Sequence, residues 1–106
     1  MDVFRFVKRA MKSNDPTRRY MLVTGDGTRA GDIEVIPPAH GTVRLDVVLR
    51  PVLSDAARED ALNTTRRFLD ELAGGWGVQL DEGSGTSGLA EQPDGNYRVQ
   101  IEYRVI

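Results

Sequence analysis

The sequence predicts an α+β domain: a single mostly antiparallel sheet of about five strands with two helices packed on one face, in the order α-β-β-β-α-β-β. Three observations predict it. Runs rich in β-forming residues, most of them alternating apolar with polar, recur at 18–24, 32–36, 42–49 and 97–106, and alternation is the spacing of a half-buried strand. The connections between the first three are too short for crossovers, so those neighbours run antiparallel. A long amphipathic stretch follows the third strand and can carry the chain back across one sheet face.

The first element reads as a helix over Val3–Lys12. At about 100° per residue, Val3, Phe4, Phe6, Val7, Ala10 and Met11 share one side. Arg5, Lys8, Arg9 and Lys12 share the other. A strand reading, Val3, Arg5 and Val7 against Phe4 and Phe6, accounts for fewer positions. Ser13-Asn14-Asp15-Pro16 then stops the helix, because proline cannot continue it.

Arg18–Thr24 is rich in β-forming residues, and Gly25-Asp26-Gly27 supplies the turn after it. Asp32–Ile36 places Ile33 and Val35 on one face, and Pro37-Pro38 is expected to end that strand, since two ladder donors are missing. Thr42–Leu49 sets Val43, Leu45, Val47 and Leu49 against Arg44 and Asp46.

Ser54-Asp55 opens the second helix: serine caps free amide groups, and aspartate suits the positive end of the dipole. Its apolar stripe is Ala57, Ala61, Leu62, Phe68, Leu69, Leu72 and Ala73, and Gly74-Gly75 is expected to stop it. Trp76–Leu80 reads as a short strand. Residues 81–96 (DEGSGTSGLAEQPDGN) read as a flexible Gly/Ser-rich loop or an open hairpin tip. Tyr97–Ile106 alternates to the last residue, with Tyr97, Val99, Ile101, Tyr103 and Val105 on one face.

With 106 residues the chain fits one domain, 1–106, and its 40% hydrophobic and 28% charged content argues for a packed core over disorder. It has no cysteine, which removes disulfides, thiolate nucleophiles, zinc–thiolate sites and iron–sulfur clusters. No apolar run approaches the ~20 residues of a membrane span, and the N-terminal charges are unlike a signal peptide, so the expectation is a cytoplasmic protein. Net charge is −2, unevenly placed: the first twenty residues carry six cations against Asp2 and Asp15.

The search for chemistry is short. His40 is the only histidine and sits in a turn; a base or metal ligand needs partners within reach, and a single imidazole without cysteine is a poor start for zinc. Ser84, Thr86 and Ser87 lie in the glycine-rich stretch with no strand-to-helix elbow to position a nucleophile. Gly25-Asp26-Gly27-Thr28 and Gly83-Ser84-Gly85-Thr86 resemble pieces of phosphate loops, but neither precedes a helix and no Gly-Lys-Ser/Thr occurs. No catalytic, metal or cofactor set emerges.

The stretch LAGGWGVQLDE, Leu72–Glu82, resembles the Gly-Trp-Gly ending of ribonuclease-regulating ferredoxin-like proteins, without the Tyr-Asp that precedes it there. That resemblance covers this stretch alone and assigns no site residue.

These readings lean away from an enzyme, toward a small non-catalytic module (a regulator, adaptor or inhibitor) that binds a protein partner. The candidate contact residues are Arg5, Lys8, Arg9 and Lys12 on the basic helix face, and Trp76 between two glycines, since tryptophan is enriched at interface hot spots. The strand 97–106, if at the sheet edge, offers a route to a homodimer. Nucleic acid is disfavoured, because the positive excess is small beside the six to ten phosphate contacts that are roughly typical. Two alternatives stand beside this reading. One is a small-molecule-binding or enzymatic domain with a pocket between sheet and helices. The other is attachment of the basic N-terminal helix to a membrane surface.

Overall fold

Strict alternation builds the centre of the molecule, and α1 covers one side of it. In the computed structural model, which describes residues 4–9, 16–85 and 89–106, the strands are β1 (Phe4–Lys8), β2 (Arg18–Thr24), β3 (Arg29–Ala39), β4 (Thr42–Leu49), β5 (Leu80–Asp81), β6 (Ala90–Glu91) and β7 (Tyr97–Val105). The helix α1 (Asp55–Gly75) lies between β4 and β5 in the chain. All seven strands join one antiparallel sheet in the order β1-β2-β3-β4-β7-β5, with β6 also on β7.

The expected α+β class with one antiparallel sheet is present; the element count differs, with seven strands and one helix among the described residues. The chain order, four strands, a helix and three strands, also departs from the split βαβ pattern of ferredoxin-like folds.

On the covered face Leu22, Ile33, Val35, Val43, Leu45, Val47, Leu49, Val99 and Ile101 are buried. Each such side chain contributes about 1.5–3 kcal/mol relative to exposure. Against them α1 sets Ala57, Ala61, Thr65, Leu69 and Ala73, one every fourth residue. Four of these five are small, and Leu62, Phe68 and Leu72 pack on the core beside that line. Thr65 is the one buried polar residue described in the core; its hydroxyl donates to the Ala61 carbonyl at 2.8 Å, which satisfies it inside the helix.

Local chemistry sets the helix ends. Ser54 Oγ accepts the Ala57 N–H at 3.2 Å. The helix ends at Gly75, within the expected Gly74-Gly75 stop, but the left-handed residue of the cap is Gly77, whose φ is +71°. There Gly77 N–H reaches the Gly74 carbonyl and Val78 N–H the Ala73 carbonyl, the paired bonds of a Schellman cap. The expected strand over Trp76–Leu80 is accordingly reduced to Leu80 at the start of β5.

Three further expectations are corrected. The expected helix over Val3–Lys12 is not formed among its described residues: Phe4–Lys8 is a strand paired with β2 throughout, and residues 3 and 10–12 lie outside the described residues. Phe6 stacks on Phe68 of α1 with centroids 4.0 Å apart, and Tyr20 meets the same ring edge-on at 4.8 Å. Tertiary aromatic packing thus overrides a helical period five residues long. Second, β3 continues through Pro37-Pro38, because the register slips between Ile36 and Ala39 and the prolines occupy that irregularity. Third, β7 is not an edge: β4 pairs with one side over Tyr97–Arg104, and β6 and β5 pair with the other. Within 81–96 the described residues include a 3-10 turn at Glu82–Ser84 and β6, which forms a hairpin with β7.

Gly31 allows a close approach in the sheet. Ala30 is an extra residue in the β2–β3 register, and the next position presses on β4, so a β-carbon at Gly31 would strike the Val48 carbonyl.

Candidate functional site

The strand alternation that buries one sheet face leaves the other without a helix among the described residues. Phe6 and Tyr20 mark the α1 side, so Arg5, Val7, Arg19 and Met21 face away from it. The register carries this face across five strands. One row runs Val7, Met21, Asp32, Val48, Arg98; a second runs Arg19, Glu34, Asp46, Gln100; a third runs Ile36, Arg44, Glu102.

Charge on this face is partly self-neutralised. Arg9 and Arg29 both reach Asp32, at 3.3 and 2.6 Å. Arg19 Nε lies 3.1 Å from Glu34. Arg98 forks onto both oxygens of Asp46 at 3.2 and 2.8 Å, and that carboxylate, by hydrogen bond and then by charge, holds the guanidinium pKa above its ordinary value. Arg5 and Arg44 make no ion pair among the described residues. The result is a mixed surface, with Arg5 beside Val7, Asp94 beside Val48 and Arg98, and Glu102 opposite Arg44 in the ladder.

A concave feature lies beside the C-terminal half of α1. Arg66, Arg67, Asp70, Glu82, Gly85 and Tyr103 line a cleft of about 320 Å³. Gly85 is buried against the Tyr103 ring so closely that any β-carbon there would overlap it. Ser84 Oγ donates to the Asp81 carbonyl at 2.6 Å and accepts the Arg104 N–H at 2.9 Å, standing in for a strand partner of β7. Burial pushes the Tyr103 hydroxyl pKa up, while the neighbouring Arg66 guanidinium opposes that shift. Arg66 Nε is buried without a hydrogen-bond partner.

The residues expected to form a contact surface are not brought together. Arg5 and Arg9 lie on the open face, Lys8 alternates to the α1 side, and Lys12 lies outside the described residues. Trp76 sits at the C-cap of α1, half-buried and packed on the core cluster. The alternative of membrane attachment drew on a basic helix face over Val3–Lys12, of which Phe4–Lys8 forms a strand. No helix of the described residues is long and apolar enough to cross a membrane.

His40 is exposed at the β3–β4 hairpin tip with φ +54°, followed by Gly41 at +78°. Two positive φ values in a two-residue loop are the signature of a type I′ turn. Among the described residues no group of three or more His, Asp or Glu is placed to hold a metal ion. Asp26 closes the β2–β3 turn: the Thr24 hydroxyl and then the Thr28 N–H hold its carboxyl below the usual carboxylate range.

The open face was half visible in the sequence, since the polar positions of 42–49 and 97–106 alternate outward. The contribution of Val7 and Met21 was hidden by the helical reading of β1. The cleft carried no signal, because it depends on Gly85 meeting Tyr103 across the sheet.

No protein-family model, curated protein or solved structure matches the chain.

Proposed function

We propose that this chain is a non-catalytic interaction module that docks a protein partner on the open face of its sheet. The observation that supports this is the five-strand face itself, with Arg5 unpaired among the described residues beside the partly exposed Val7 and Met21, and Arg44 without an ion pair two rows away. Such a face fits a partner that presents carboxylates around a small apolar centre. Charge complementarity would steer the encounter, and the apolar centre would hold it.

A photo-crosslinker placed at Met21 and another at Glu59 of α1 test the reading on the intact chain. The expected result is one partner crosslinked from Met21 but not from Glu59, weakened by salt and lost in the Arg5→Glu, Arg44→Glu double variant. Equal crosslinking from both sites, or a partner indifferent to the charge reversals, overturns it.

The cleft favours a second reading, a small-molecule site between α1 and β7. An anionic group would be received by Arg66 and Tyr103, with Asp70 and Glu82 setting a polar rim. Thermal-shift screening with carboxylate and phosphate compounds tests it: any shift must vanish in Arg66→Met while the unliganded melt is retained.

A further inference from the structure

We infer that β1 is a self-recognition strand, on which a second copy of this chain adds in an antiparallel register centred on Phe6. The Arg9 N–H donates to the Arg19 carbonyl at 2.9 Å, and β1 pairs with β2 without a slip from there. Residues 5 and 7 therefore direct their backbone groups into β2. The N–H and C=O groups of Phe4, Phe6 and Lys8 point away from the sheet. β1 is also the outermost strand of the sheet order, so among the described residues these groups form an open template.

The side chains select the occupant. Centred on Phe6, the pairing uses all three outward residues: Phe6 meets Phe6, and Phe4 meets Lys8 in both directions. On the open face Arg5 stands opposite Val7 of the second copy, and no cation faces a cation. Shifting the centre to Arg5 sets Arg5 against itself, and shifting it to Val7 sets Arg5 against Arg9. Like charges directly opposite destabilise a strand pair, so of the registers centred on Arg5, Phe6 and Val7 charge leaves the one on Phe6. An edge guarded by its cations would place one at the centre; here the centre is an aromatic ring. Phe6 is already flat on Phe68 at 4.0 Å and only half-buried, and Val7 is 40% exposed.

The symmetry axis of such a pair runs perpendicular to the sheet. Both α1 helices then lie on one side, and the two open faces merge into one. This inference does not depend on partner docking, and its failure leaves that reading intact.

Sedimentation equilibrium of the full chain, from about 1 μM to 1 mM, tests it, since an edge-only contact is expected to be weak. The expected result is a monomer–dimer equilibrium that Val7→Lys weakens at least about tenfold, because a cation then opposes Arg5 at two symmetric positions. Val7→Glu tightens it by a similar factor for the opposite reason. Val52→Lys, at an exposed position before α1, leaves it unchanged. Thermal melts close to the parent chain for all three establish that the fold is kept. A monomer throughout the range overturns the inference. So does a shift in the same direction by Val7→Lys and Val7→Glu, or an effect of Val52→Lys equal to theirs.

Discussion

The two flanks of the sheet are fastened by different chemistry. On one side β1 is a five-residue strand held by its ladder to β2 and by the Phe6–Phe68 stack. On the other, β5 and β6 are two residues each and cannot hold by their ladders alone. There the chain uses side chains in place of strand length: Ser84 on the Arg104 N–H, Asp81 on the Arg104 guanidinium, and Gly85 against Tyr103. The β6–β7 turn is tied the same way, with Gln92 N–H on the Asn96 carbonyl and Asp94 accepting the Asn96 N–H. A short edge is thus stable where polar groups saturate it, and a longer edge where an aromatic clamp holds one face.

The comparison breaks most sharply at Phe68. Phe68→Ala removes the ring shared by Phe6 and Tyr20 and is expected to cost about 3 kcal/mol or more in denaturant melts. Amide exchange in β1 should accelerate far more than exchange in β5; equal acceleration would mean that β1 does not rely on the clamp. Gly85→Ala tests the opposite flank, with an expected loss of about 1–3 kcal/mol from overpacking on Tyr103 and faster exchange at Leu80 and Asp81. Ser84→Ala should cost about 1–2 kcal/mol, because the Arg104 N–H loses its acceptor. Arg104→Ala, which breaks only an exposed pair with Asp81, should fall within about 0.5 kcal/mol.

Titration sharpens the same contrast. The Tyr103 hydroxyl has a folded pKa raised by burial, so its neutral form is the one the fold favours. Its contribution is complete below the unfolded value of about 10 and is lost as pH rises above it. Unfolding followed between pH 9 and 11 should show a declining stability that is shallower in Tyr103→Phe. An identical slope in both proteins would remove Tyr103 from the account.

What the sequence revealed follows the same division. β2, β4, β7 and α1 were legible because each carries enough alternation or helical period to fix which face is buried. β1 was misread because FRFVK satisfies both periods, and the choice rests on Phe68, distant in the chain. Pro37-Pro38 looked like a strand end because local rules count missing donors without knowing that the register slips there. The helix stop was legible at Gly74-Gly75, but which of the three nearby glycines takes the left-handed turn was not, and it is Gly77, at +71°. Of the candidate contact residues, Arg5 and Arg9 fell on one exposed face, and Trp76 went to the helix end by the core, which composition around it did not distinguish.

The position of β7 has a consequence for how the molecule assembles. Strands β1 to β4 form by neighbouring hairpins, whereas β7 must return across α1, with Arg98 reaching back 52 residues to Asp46. Closing that long loop is the slow entropic step. Until it closes, β4 offers a bare flank to any other chain, and crowding during synthesis becomes the period of greatest aggregation risk.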